Sequence, residues 1–376
     1  MKALILAGGF GTRLRPLSCT RPKLLFPIAN KPLLDLTLER LAANGIDEAV
    51  LAVNFMAEAL EKHCGNTRHG IRLHYSRDMP LTSKTARSSQ GALGTGGPVK
   101  QAQKLLGDKE PFLVLNGDIL TDADYSRIVQ DHEENNGIAT IALHRVEDPS
   151  RYGVVEMTEK KHIIRFTEKP SKEATSKLVN AGVYVFEPDI FNYIPMGKRC
   201  SLEKEVFPKI AEERKLFGHE IKGLWIDVGK PADYIRANQL WLKARIDIDS
   251  VSRPQKARVG KQSKIKEAVA LGDGVSVDEK STIGPNVSLG KNTSIGKGVS
   301  IKDSIILPYT LISHNTTVEG AMIGESVTVG RNVKIGKGCL IGDSAIIKDG
   351  VKLARNVKVC PFKEVSEDIL KPRSVL

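Results

Sequence analysis

Residues 8–23 set Gly8, Gly9 and Gly11 beside Thr12, Arg13, Arg15 and Lys23, directly after the apolar run 3–7. Glycines let backbone N–H groups approach an oxyanion closely, and guanidinium and ammonium groups neutralise it. The stretch therefore has the make-up of a phosphate cradle, although tight turns are the commoner use of clustered glycines. Pro22 fixes the backbone just ahead of Lys23. No Gly-Lys-Ser/Thr follows at P-loop spacing, and Leu14 stands where a dinucleotide fingerprint needs its third glycine. Carboxylates supply the complementary chemistry. Asp118 follows the apolar run 112–115 through Asn116 and Gly117. It reads either as a hard-cation ligand or as ordinary turn chemistry. Asp227, in Trp225-Ile226-Asp227-Val228-Gly229, precedes a helix-like stretch and by itself reads as a cap. Glu168 and Lys169, before Pro170, are by themselves a surface pair.

The elements that must position these groups fall into two grammars. Over residues 1–240, strand-like and helix-like patterns alternate. Strands are expected at 2–7, 49–53, 71–75, 112–115 and 138–143, and helices at 32–43, 57–63, 96–106 and 125–134. Such alternation implies βαβ units and a mostly parallel sheet with flanking helices. Ligands of such sheets sit beyond the carboxyl ends of strands, where the loops after Ala7 and Leu115 lie.

From Val259 an aliphatic residue recurs every six positions, through Ile265, Leu271, Val277, Ile283, Leu289, Ile295 and Ile301. The count slips by one at Ile306 and again at Ile323, then runs on to Val359. A period of six fits a three-sided parallel β-helix with one aliphatic per short strand pointing to the axis. The eighteen positions make about six coils at three faces per coil. The expected domains are thus 1–245, a linker 246–258 containing Pro254, and a β-helix over 259–376. The open end of such a helix invites pairing, so a homo-oligomer through the β-helix is expected.

Bulk properties exclude several classes. The chain has 376 residues, 41% hydrophobic and 27% charged. That suits a two-domain globular protein. No apolar run is long enough to span a membrane, and the first residues have the wrong flanks for a signal peptide. Five cysteines without a C-x-x-C pair argue for free thiols in a reducing cytoplasm. The net charge of +12 is spread over both parts, and aromatics are only 5%, so no nucleic-acid surface is expected. The eight histidines show no metal-ligand spacing.

The pattern GGxGTRLxPL followed by Pro22-Lys23 resembles the sugar-1-phosphate nucleotidylyltransferases, and within them the GDP-mannose pyrophosphorylase branch. Trp225-x-Asp227-x-Gly229, Phe166-Thr167-Glu168-Lys169-Pro170, Tyr152-Gly153-Val154-Val155 and Asn180-Ala181-Gly182 extend the resemblance, and the repeats are similar to that family's left-handed hexapeptide β-helix. The resemblance implies a Rossmann-like nucleotidyltransferase fold and nucleotidyl transfer from an NTP to a sugar 1-phosphate. The first choice is GTP with mannose 1-phosphate; UTP or dTTP with glucose 1-phosphate is the alternative. It implies that Gly8, Gly9, Gly11 and Thr12 approach the nucleotide, that Arg13 binds the triphosphate, and that Lys23 stabilises charge at the α-phosphate. Asp118 and Asp227 become Mg²⁺ ligands. Asn116, Gly153, Glu168, Lys169 and Asn180 become sugar-phosphate contacts. Ala92-Leu93-Gly94-Thr95-Gly96-Gly97 is similar to the segment that lies against the nucleoside, giving Gly94 and Thr95. Here the chain departs from the family: Gln90-Gly91 stand where an acidic pair is usual, so Gln90 takes the nucleotide-binding position and base choice stays open. The polar run 82–90 is expected to be a loop. Some relatives with this layout are non-catalytic subunits, but those lose the cradle cations or the metal carboxylates, and this chain keeps them. Acyl transfer in the β-helix would need a histidine. His314 is the only one there, in the stretch where the six-residue count slips.

Overall fold

A computed structural model describes residues 1–77, 93–170, 174–244 and 257–376. Gln90, the expected loop 82–90 and residues 246–256 of the expected linker lie outside the described residues. The chain divides into two compact units: Met1–Phe10 with Leu33–Asp227, and Gly11–Pro32 with Val228–Leu376.

The first unit is built on a ten-stranded sheet. Its centre is Lys2–Leu6, where Ala3, Leu4 and Ile5 are fully buried. A strand buried on both faces must be apolar throughout, which is why this one shows no alternation. It runs parallel to Glu48–Val53 on one side and Phe112–Asn116 on the other, and Ile71–Arg77 extends the parallel part. Helices cover the faces. Leu33–Ala43 buries Leu33, Leu34, Leu36, Leu38 and Leu41. It stops at Gly45, whose positive φ of 75° suits the left-handed residue that ends many helices. Tyr125–Asn135 is capped by Asp124, whose carboxylate accepts from the Ser126 and Arg127 N–H groups. The expected helix at 96–106 is interrupted at Ala102, giving Gly96–Gln101 and Gln103–Leu106.

Beyond Phe112–Asn116 the sheet turns antiparallel, through Leu178–Phe186, Gly153–Met157 and Ile163–Glu168. Leu178–Phe186 also pairs Ala139–Arg145, and its register shifts between Asn180 and Tyr184. A bulge of this kind bends a strand and re-aims its side chains. A separate two-stranded ladder joins Ile119–Thr121 to Trp225–Asp227.

In the second unit, all eighteen aliphatic positions from Val259 to Val359 fall in short strands. The strands stack into three parallel sheets of seven, six and seven, as a left-handed β-helix of hexapeptide repeats requires. From Leu271 onward every one of these residues is at most 4% exposed. Two further strands, Glu364–Val365 and Ser374–Val375, continue the stack. The corners carry residues with positive φ, several of them asparagines, such as Asn292, Asn315, Asn332 and Asn356. Asparagine tolerates the left-handed conformation better than most residues, which lets a six-residue step close. The two slips are shortened corners before Ile306 and Ile323. The corner holding His314 keeps its full length. There His314 Nδ1 accepts the Lys297 N–H at 2.9 Å, which gives the ring a turn-stabilising role.

Candidate active site

The central parallel strands fix where two loops emerge. Leu6 pairs with Asn116, the Gly117 N–H donates to the Leu6 carbonyl at 3.1 Å, and the Ala7 N–H donates to Ala52 at 2.9 Å. Gly8 and Gly9 therefore leave the sheet beside Asn116-Gly117-Asp118, at the carboxyl ends of the strands. Among the described residues, apart from its neighbours Gly8 and Phe10, no atom lies within 4 Å of the place a Cβ would occupy on Gly9.

Asp227 pairs with Ile119 in the short antiparallel ladder. Paired Cα atoms lie about 5 Å apart and consecutive ones about 3.8 Å, so the Asp118 and Asp227 Cα atoms are within about 9 Å. Both residues are half-buried. Trp225 anchors their ladder. Its indole N–H donates to the Ala181 carbonyl at 2.8 Å, and Tyr152 and His144 pack on its ring, each at 5.2 Å. Burial pushes the His144 pKa below its usual value.

The same Ala181 lies in the bulge, so the strand Trp225–Asp227 and the Asn180-Ala181-Gly182 segment are pinned together. Gly182, at φ 72°, donates its N–H to Asn180 Oδ1 at 2.9 Å, and a Cβ there would meet Asn116 Nδ2 at 2.8 Å. Asn180 Nδ2 donates to the Tyr184 hydroxyl at 3.0 Å, and Asn116 bonds the same hydroxyl. Burial raises the Tyr184 phenol well above its ordinary range, and Glu203 and Glu168 push the same way. Gly153 pairs with Glu168, and a Cβ on it would lie 3.0 Å from Glu168 Oε2. Glu168 is largely sheltered, at 17% side-chain exposure. Its Oε1 pairs with Lys169 Nζ at 2.8 Å, and the lysine is 65% exposed. Lys169 has a φ of 47° and donates its N–H to the Tyr152 carbonyl.

Gly94 and Thr95 belong to another strut of this unit. The Gly96 N–H donates to the Cys200 carbonyl and the Cys200 N–H to Leu93, each at about 3 Å. Gly94 has a φ of 75°, and a Cβ on it would collide with the Cys200 carbonyl. The Thr95 hydroxyl donates to Glu203 Oε2 at 2.5 Å while accepting the Leu202 N–H at 2.9 Å. Glu203 and Tyr184 were not expected from the sequence. Glu203 stands 108 residues from Thr95, in a stretch with no pattern to mark it.

The remaining cradle residues are in the second unit. Gly11 has a φ of 59°, and its carbonyl accepts from Leu14 N–H at 2.9 Å and Ser18 Oγ at 2.7 Å. Thr12 and Arg13 lie on the one-turn helix Thr12–Leu14 and are exposed. Lys23 opens a second short turn, Lys23–Leu25, and is only 8% exposed.

The donor set suits a small hard cation. Among the described residues no three His, Cys, Asp or Glu side chains gather as a metal site. Two carboxylates carried on adjoining stretches of backbone fit Mg²⁺, which is usually held by one or two carboxylates plus substrate.

The nucleotidyl transferase family model matches residues 2–244, and the GMPPB C-terminal domain model matches residues 265–375. Among curated proteins, the chain is 38% identical to mannose-1-phosphate guanylyltransferase catalytic subunit beta of Dictyostelium discoideum, over 73% of this chain and 69% of that one. It is 38% identical to probable mannose-1-phosphate guanylyltransferase 2 of Arabidopsis thaliana, over 76% and 73%. Among solved structures, HddC from Yersinia pseudotuberculosis superposes with a TM-score of 0.53 at 26% identity, covering 64% of this chain and 99% of that one. A Bacillus anthracis protein solved in complex with sucrose superposes with a TM-score of 0.57 at 23% identity, over 64% and 94%, a likeness of fold alone.

Proposed function

This chain belongs to the nucleotidyl transferase family, and from that premise we propose that it joins GTP and mannose 1-phosphate into GDP-mannose and pyrophosphate. The observation that carries the reaction class is the ladder placing Asp227 opposite the residue next to Asp118. The choice of base and sugar is supported by the names of the curated relatives.

In this reading a phosphate oxygen of the sugar phosphate attacks the α-phosphorus in line. The bond from the α-phosphorus to the bridging oxygen breaks, and pyrophosphate leaves. The protein's work is positioning and charge stabilisation. Gly8, Gly9, Gly11 and Thr12 offer backbone amides to the phosphates. Arg13 binds the triphosphate, and Lys23 stabilises charge developing at the α-phosphate. Gly94 and Thr95 face the nucleoside, and Gln90 keeps its assignment to nucleotide binding. Asn116, Gly153, Glu168 and Asn180 orient the sugar, and Lys169 exchanges its Glu168 partner for the sugar phosphate. Asp118 and Asp227 would hold Mg²⁺, which when bound screens the α-phosphate and the leaving pyrophosphate.

We further read the protein as a cytoplasmic homo-oligomer joined through the β-helix, whose last coils expose Phe362 and Leu370. The chemistry is assigned to residues 1–245 and the assembly to 259–376. A panel of GTP, UTP, dTTP, ATP and CTP against mannose and glucose 1-phosphates, followed by pyrophosphate release, tests the substrate reading. Preference for UTP or dTTP with glucose 1-phosphate replaces the substrates. No turnover with any pair makes the chain a non-catalytic subunit.

A further inference from the structure

The segment that carries Lys23 is fastened at both ends. At its far end the Asn30 amide donates to the Leu289 carbonyl at 2.9 Å, and the Ala29 N–H donates to Asn238 Oδ1 at 2.8 Å. At its near end the Thr20 hydroxyl donates to Asp343 Oδ2 at 2.6 Å. The Arg21 guanidinium donates to the Glu325 carboxylate and lies 3.5 Å from Asp343 Oδ2. Asp343 also accepts the Glu325 N–H at 2.8 Å, so the two acids form one preset receptor. Asp343 is 8% exposed and the Arg21 side chain 17%, so little water competes for the contacts to Asp343.

The repeat does not require an acid at these positions. The ladder aligns Leu271, Leu289, Ile306, Ile323, Ile341 and Val359. Two residues beyond each stand Asp273, Lys291, Pro308, Glu325, Asp343 and Pro361. Asp273, Glu325 and Asp343 are the carboxylates at that position, and of these Glu325 and Asp343, in neighbouring coils, meet Thr20 and Arg21. A generic corner needs no acid, as the lysine and prolines demonstrate.

We infer that Asp343 and Glu325 are positioning residues for the NTP. Through Thr20 and Arg21 they set the backbone that presents Lys23, two residues further on. The β-helix is then a brace for the phosphate-handling segment as well as an assembly element. The inference rests on the proposed reading that this segment handles a triphosphate.

The test uses the full-length chain. Wild type, Arg21→Met, Arg21→Lys, Glu325→Gln and Arg21→Met with Glu325→Gln are compared by steady-state kinetics and by calorimetric binding of GTP with Mg²⁺. The expected result for Arg21→Met is about a tenfold rise in both Kd and KM for GTP, the scale of coupling between contacting residues. The KM for the sugar phosphate stays within twofold, about the reproducibility expected of an uncoupled site. Arg21→Lys recovers part of the loss, because it keeps the charge without the fork. The double variant is no worse than Arg21→Met. Glu325 is half-exposed, so Glu325→Gln gives a readout even if Arg21→Met folds poorly. Unchanged GTP binding in folded Arg21→Met and Glu325→Gln overturns the inference, as does an additive double variant. Wild type without turnover or GTP binding overturns the proposed function instead, so the two failures are distinct.

Discussion

Asp227 faces Ile119 across an antiparallel ladder, which brings it beside Asp118 although the two acids are far apart in the chain. The hydrophobic members of that ladder do the joining. Leu120, Ile226 and Trp225 are at most 8% exposed, and each buried side chain of this size is worth roughly 1.5–3 kcal/mol. Asp227 ends one strand of the ladder and Asp118 sits in the turn just before the other, both held by these neighbours, so they can be neutralised without unfolding the ladder.

Asp118→Asn and Asp227→Asn are each expected to lower turnover at least about a hundredfold, the range for removing one preorganised electrostatic group. Thermal melting is expected to stay within about 1 kcal/mol of wild type, as for half-exposed sites. A chelator is expected to abolish turnover reversibly, with Mg²⁺ restoring it. Near-normal rates in either variant, by pyrophosphate release, remove that acid from the mechanism.

Glu203 fixes the Thr95 hydroxyl from across the unit, and a charged acceptor makes that bond stronger than a neutral one. Glu203→Ala frees Thr95. The expected outcome is a KM for GTP raised about tenfold, matching a loss of about 1.5 kcal/mol for a hydrogen bond to a charged group. The KM for the sugar phosphate is expected to change less. Equal changes in both constants would place Glu203 in a general structural role.

Gly182 combines a φ of 72° with close contact to the Asn116 amide. Gly182→Ala is expected to cost about 1–2 kcal/mol for the left-handed backbone alone. It also shifts Asn116 and Asn180, so the KM for the sugar phosphate is expected to rise more than that for GTP. Paired melting and kinetic measurements separate the two effects.

The sequence made the β-helix legible because its core repeats one aliphatic per face, and a period of six survives two shortened corners. The parallel half of the sheet was legible from the alternation of strands and helices. The antiparallel half was not, since residues 153–186 carry the bulge at Asn180–Tyr184, which no local pattern announces. The candidate site residues stood out as motifs, and their mutual placement was not legible. Pairing of Ile119–Thr121 with Trp225–Asp227, Thr95 with Glu203, and Arg21 with Glu325 are all contacts between distant segments. Short-range periodicity carries no information about such contacts.

Packing along the β-helix axis gives a separate expectation. Ile323 and Ile341 are fully buried in successive coils of one sheet. Ile323→Ala is expected to destabilise the protein by about 2–5 kcal/mol, from lost transfer energy plus the cavity left behind. Surface Thr328→Ala, on an outward face, is expected to fall within about 0.5 kcal/mol. Denaturant unfolding of both variants checks the contrast, and equal midpoints would mean the axis is not the stabilising core.

Two histidines make stability depend on pH. Burial lowers the pKa of His132 and of His144 below the usual histidine value. His132 is almost fully buried, with Nδ1 at 2.9 Å from Thr140 Oγ1 and Nε2 at 3.3 Å from Glu187. A proton therefore binds the unfolded chain more readily than the folded one. Above about pH 6.5, the ordinary histidine value, both states are neutral at these sites and the sites impose no penalty. As pH falls below that point the unfolded chain takes up protons first, so stability drops until the depressed folded values are passed. Melting temperature is expected to fall between pH 7 and pH 5.5 in wild type. His144→Phe keeps an aromatic ring against Trp225 but cannot protonate, so its melting temperature is expected to fall less steeply over the same interval. A slope as steep as wild type's would show that His144 does not carry its share of the acid sensitivity.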